Sequence, residues 1–172
     1  MFNKLKSLLV GNNPHVHPKH LENPERYNEA GQYLFNEAEC NTFKMAHEGV
    51  HMQILLGNGM KDGKISNEKQ ITPWIIGFLC GFLDQVTQRV ERKGHADFEM
   101  MEMFLNYHFS KELNAKMWAC YIAATSMRGK EADPFYPMYE DFLSGAREGF
   151  GYMVDGSSKL PELAKKLMEL KS

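Results

Sequence analysis

The chain has 172 residues, of which 43% are hydrophobic and 24% charged, and its formal net charge is −2. That length and apolar fraction suit one globular domain with its own core. The near balance of charge supplies no basic field for nucleic acid or an anionic membrane surface. Cys40, Cys80 and Cys120 are odd in number, lack CxxC spacing and fall in apolar-periodic stretches. They read as reduced core thiols, which points to the cytoplasm.

Residues 1–23 read as an irregular lead-in. Phe2, Leu5, Leu8 and Leu9 outline a short amphipathic N-terminal helix, too short and too polar for a signal peptide. His15, His17 and His20 follow between prolines; they are either polar loop residues or, folded over a metal, a second histidine group. Pro24 or Glu25 opens a helix, which pauses at Gly31 before Asn36 opens a longer one. In that longer helix Cys40, Phe43, His47, Val50, His51 and Ile54 recur at intervals of three and four, and Gly57 or Gly59 ends it.

Residues 57–66 form a loop. With Gly63 at the sixth position of a calcium loop, Met60 takes the third and Lys69 the twelfth, where a bidentate Glu is required. Calcium is excluded there. Thr72 and Pro73 supply an N-cap hydroxyl and a first-position proline for a helix to about Arg92. Further helices are predicted from Gly94 to about Phe109, over 111–128, over 137–154 and over 161–170. The longest apolar run, 74–83, is about half the ~20 residues of a membrane span, so it reads as a buried helix. No period-two alternation bounded by turns occurs, so no strand is expected. The expected fold is all-α: a single-domain, irregular bundle of six to eight helices.

One motif carries specific chemistry. The run His47-Glu48-Gly49-Val50-His51 fits HExxH, in which residues four apart on a helix point both imidazoles at one metal. Glu48, about 100° away, is placed as general base toward a zinc-bound water whose pKa the metal lowers toward 7. His47 and His51 share the apolar stripe, so both face the interior, where an unpartnered imidazole costs ~1–3 kcal/mol. Either a metal or core polar groups satisfy them. Gly49 inside the helix costs ~1 kcal/mol relative to alanine.

HEGVHMQILLGN followed by REGFGYMVD resembles the gluzincin metallopeptidases. The resemblance implies His47 and His51 as zinc ligands, Glu48 as the base, Glu148 as third ligand and Tyr152 as an oxyanion donor, acting on a peptide or small-molecule substrate. The residues themselves leave other third ligands open. Glu148 groups with Asp141, Ser144, Tyr152 and Asp155 on the polar side of its helix, whereas Glu102 lies nearer the apolar stripe Phe98, Met101, Leu105. His95 and Glu99 also stand at ligand spacing, and Glu48-x-x-His51 fits half of a di-iron site. A second such half-site is missing, which ranks di-iron below mononuclear zinc. A metal sensor, or a non-catalytic binding protein with structural histidines, are the remaining alternatives. No Gly-rich phosphate loop follows a strand, and no nucleophile elbow is present.

Overall fold

The computed structural model describes residues 26–28, 32–152 and 161–171. The lead-in, with its short helix and His15, His17 and His20, lies outside the described residues, as do the ends of the helices expected at 24–25 and 154. The described residues hold six α-helices: α1 (Glu37–Gly57), α2 (Pro73–Val90), α3 (Phe98–His108), α4 (Asn114–Thr125), α5 (Tyr136–Gly151) and α6 (Glu162–Glu169). They include no strand, only two isolated bridges, Tyr27 with Tyr33 and Ile65 with Phe109. The fold is an all-α bundle, as the periodicity predicts. No helix among the described residues is long and apolar enough to cross a membrane.

The chain divides into two compact units, 1–40 and 41–172. In the first, the described residues 26–28 and 32–34 pair with one another in place of the helix expected after Pro24. Asn28 N–H donates to the Gln32 carbonyl at 3.0 Å and Leu34 N–H to that of Arg26 at 2.7 Å. The Asn28 side chain accepts from Gln32 N–H at 2.9 Å, the local competition by which asparagine draws backbone out of a helix. Asn36 and Glu39 then cap α1 reciprocally. Asn36 Oδ1 accepts from Glu39 N–H at 2.9 Å, and Glu39 Oε2 from Asn36 N–H at 2.8 Å, satisfying two otherwise unpaired donors. Arg26 also pairs with Glu39.

In the second unit α2 is the central helix. Thr72 caps it, accepting from Ile75 N–H at 3.2 Å, and residues 75–83 are all buried. α1 ends in a Schellman turn: Met60 N–H reaches the Leu55 carbonyl at 2.7 Å and Gly59 N–H that of Leu56 at 3.0 Å. Gly59 takes φ 67°, a conformation open to glycine without a Cβ penalty. Asp84 on α2 accepts from Ala96 N–H at 2.8 Å and so anchors the loop that leads into α3. Gln70, wholly buried, donates to the Leu167 carbonyl at 2.9 Å and ties α6 to the loop before α2.

α2 and α5 meet backbone to backbone. A Cβ at Gly77 would lie 2.1 Å from the Phe142 carbonyl oxygen, and one at Gly81 2.0 Å from that of Ala146. Reciprocally, a Cβ at Gly145 would lie 2.0 Å from the Trp74 oxygen and one at Gly149 2.1 Å from that of Phe78. Four residues forward on α2 correspond to four forward on α5, so the two helices run parallel. The cysteines are all free thiols and do not share one environment: Cys80 is buried, Cys120 half-buried and Cys40 exposed. Cys40 is therefore not a core thiol, because α1 turns that side of its first turn to solvent.

Candidate functional site

His47 and His51 stand one turn apart on α1, as the four-residue spacing requires, with ring centroids 4.9 Å apart. The residue they meet is His108, the last residue of α3. Its ring stacks on that of His47 at 5.3 Å and 25°. Phe43 stacks on His47 at 6.3 Å, Tyr107 meets it edge-on at 4.9 Å, and Phe104 meets His108 edge-on at 4.5 Å. Three imidazoles thus sit within an aromatic wall drawn from two helices.

The loop between α1 and α2 closes one side. Asn58 Nδ2 donates to the Lys64 carbonyl at 2.7 Å, and Ile65 N–H donates to the His108 carbonyl at 2.8 Å. The loop is therefore pinned to the end of α3. Gly63 lies directly on His51, where a Cβ would come within 2.4 Å of the ring carbon Cε1. At the rim, Lys64 Nζ lies 5.4 Å from the centre of the Tyr107 ring, a cation–π distance.

The polar atoms of these rings are unusual. His108 is wholly buried, and both its Nδ1 and Nε2 lack a hydrogen-bond partner, as do the buried Nδ1 atoms of His47 and His51. Buried polar groups nearly always find a partner, so four orphaned nitrogens in one cluster need an explanation. Burial pushes the His108 pKa down to about 3, helped by the neighbouring His47, His51 and Lys64. Burial also lowers His47, with His51 adding to the effect and Glu48 opposing it. His108 is consequently uncharged at neutral pH, with ring lone pairs available as donors, and burial favours the neutral form of His47 as well.

Among the described residues, no group of three or more His, Cys, Asp or Glu side chains is arranged to hold a metal ion. Ring stacking accounts for this at the histidines: lone pairs lie in the ring plane, so the nearly parallel rings of His47 and His108 do not aim at a common point.

The other residues singled out by sequence fall elsewhere. Glu48 is exposed beside His47. Glu148 is exposed and lines a cavity of about 260 Å³ with Trp74, Ser144, Lys166 and three further α6 residues. Tyr152 packs on Phe78 and Phe82 at 6.2 and 6.0 Å. Phe82 in turn covers Gly49, where a Cβ would come within 2.5 Å of its ring. Gly49 is two positions from each histidine, ~200° around the helix, so Phe82 packs across α1 from the imidazoles, with Tyr152 against Phe82. Glu148 and Tyr152 are not brought to the histidine pair. His95 lies in the loop before α3, so it and Glu99 do not share a helix face. His108 was the residue that spacing from HExxH could not find. Its signal was the four-residue period Met100, Phe104, His108, all three buried on α3.

Compared with protein-family models, curated proteins and solved structures, the chain matches none.

Proposed function

We propose that the protein binds a divalent transition metal, zinc foremost, through His47, His51 and His108. The support is one observation: three imidazoles, His108 wholly buried and His47 and His51 half-buried, with four buried and unpartnered nitrogens gathered where α1 meets the end of α3. Neutral imidazole is a common zinc ligand, and three of them with an open position form a known type of catalytic donor set. Binding would require at least one stacked ring to turn about χ2, a soft torsion in histidine. Zinc bound by these residues would supply Lewis-acid activation of water. Glu48, exposed beside His47 and acting on its charge, would be the carboxylate to take up a proton there, and hydrolysis would be the reaction class to assay. Glu148 and Tyr152 stand outside this centre.

The test is zinc and cobalt titration of untagged protein by calorimetry and visible absorption. One equivalent is expected. Outer-shell partners of metal ligands are worth 10–100-fold in affinity, so removing a ligand, as in His47→Gln or His108→Ala, is expected to weaken binding by on the order of 100-fold or more. His47 is half-buried, so its variant is expected to keep the fold, which circular dichroism checks. Glu148→Gln leaves binding unchanged. Absence of metal binding, or wild-type affinity in folded His47→Gln, overturns the proposal in favour of structural histidines in a non-catalytic protein.

A further inference from the structure

The cavity beside Glu148 is built from three helices of the unit 41–172 and shares no residue with the histidine cluster. Trp74 at the start of α2, with Ser144 and Glu148 on α5, forms one wall. The contact between these helices holds that wall in place: the Trp74 carbonyl lies against Gly145, and Trp74 N–H donates to Asp141 Oδ2 at 3.2 Å. α6 forms the other wall. Its Leu163 and Leu167 are wholly buried, and Gln70 holds the Leu167 carbonyl, so Glu162, Lys165, Lys166 and Glu169 are left to line the cavity.

The charges of this cavity do not balance internally. Lys165 Nζ lies 2.5 Å from Glu162 and Lys166 Nζ 3.9 Å from Glu169, so each ammonium has a carboxylate of its own helix. Glu148 makes no ion pair among the described residues, which leaves three carboxylates against two ammoniums. The Trp74 ring supplies an apolar surface next to that carboxylate. Phe78 stacks on it at 5.4 Å and 27°, and Lys166 Nζ stands 5.9 Å from its centre, at the outer edge of cation–π range.

We infer that the cavity binds a small organic cation, a primary ammonium on an alkyl stem, with the ammonium at Glu148 and the stem along the Trp74 ring. The surplus carboxylate disfavours an anion, and a bare metal ion makes no use of the indole. Lys166 is the internal competitor, because its own alkyl stem and ammonium already approach Trp74 as the ligand would. The volume of about 260 Å³ equals that of about eight waters at ~30 Å³ each, which suits a ligand of no more than about eight non-hydrogen atoms. This site stands independently of the proposed metal centre.

The experiment uses the full chain without added metal, labelled with nitrogen-15 and titrated with n-butylammonium chloride at constant ionic strength. The indole N–H signals of its two tryptophans are followed by NMR. The Trp74 signal is expected to shift saturably, with a Kd on the order of 1–10 mM for so small a ligand. Trp118, buried and donating to Asn106 at 3.0 Å, is expected to stay in place, and neutral n-butanol is expected to move neither. Glu148→Gln is expected to weaken binding about twofold to fivefold and Lys166→Gln to strengthen it by a similar factor, the worth of one exposed charge pair. Nα-acetyl-lysinamide distinguishes the source: tighter binding than butylammonium assigns the ammonium to a peptide lysine, weaker binding to a free amine. No saturable Trp74 shift up to about 100 mM, an equal shift with n-butanol, or unchanged affinity in Glu148→Gln overturns the inference. None of these outcomes bears on metal binding, which is read in a separate titration.

Discussion

His108 carries the sharpest consequence of the cluster, because its burial is complete and its nitrogens are unpaired. Its pKa falls from the ordinary 6.5 to about 3 on folding. The unfolded chain therefore binds a proton between those limits that the metal-free folded chain does not, and stability falls as pH drops from 6.5 toward 3. The slope from this one group is about 1.4 kcal/mol per pH unit over the middle of that window, and it vanishes above 6.5 and below 3. His47, also lowered, adds in the same direction. His108→Phe keeps an aromatic ring against Phe104 and removes both orphaned nitrogens. Replacing an unsatisfied polar group by an apolar one of similar shape is neutral or stabilising. The variant is thus expected to match or exceed wild type in urea midpoint at pH 7.5 and to lose most of the acid slope. An unchanged slope in His108→Phe would show that the proton is taken up elsewhere. Glu148 has no comparable role: it is an exposed carboxylate that lines a cavity together with Lys165 and Lys166.

The parallel contact between α2 and α5 shows why glycines that weaken isolated helices stabilise this bundle. Gly77 and Gly81 on one helix and Gly145 and Gly149 on the other let the backbones touch, the small-xxx-small arrangement that also permits Cα–H···O contacts. Gly81→Ala puts a methyl 2.0 Å from a backbone carbonyl oxygen, and neither backbone can yield alone. Overpacking of this kind costs ~3 kcal/mol or more, despite the ~1 kcal/mol that alanine gains in helix propensity. Gly94→Ala, with nothing within 4 Å of the added methyl, is the control, expected within about 0.5 kcal/mol of wild type. Equal denaturation midpoints for Gly81→Ala and wild type would remove the close contact from the account of stability. The GxxxG spacings are plain in the sequence, yet the partnership joins segments more than about sixty residues apart, and no local periodicity reports it. Gly49 follows the same rule: its apparent cost to α1 is the space that the Phe82 ring occupies.

For the unit 41–172 as a whole, local signals decided what was legible. The three-and-four spacing through Phe43, His47, Val50 and His51 fixed α1 and its inward histidines, and Thr72 with Pro73 fixed the start of α2. The third histidine was not legible. His108 meets the pair through the packing of α1 on α3 and the hydrogen bond from Ile65 to the end of α3, a tertiary fact that motif spacing cannot encode. Glu148 drew attention through its sequence context, while its position was set by α5 packing on α2. All three histidines lie in this one unit, on elements far apart in sequence, so the proposed metal, if shared among them, would act as a cross-link that only the folded chain can form. A ligand bound to the native state alone stabilises by RT ln(1 + [L]/Kd), about 2.7 kcal/mol at a hundredfold excess over Kd. For a chain of this size that is roughly 5–10 °C in Tm. Zinc at that excess is expected to raise the Tm of untagged protein by this amount, and chelation to return it to the metal-free value. The same shift is expected in Gly81→Ala, whose lowered stability arises at a remote contact and adds independently. In His51→Ala the shift is expected to collapse. An equal zinc-induced rise in His51→Ala and wild type would place the stabilising metal somewhere other than this cluster.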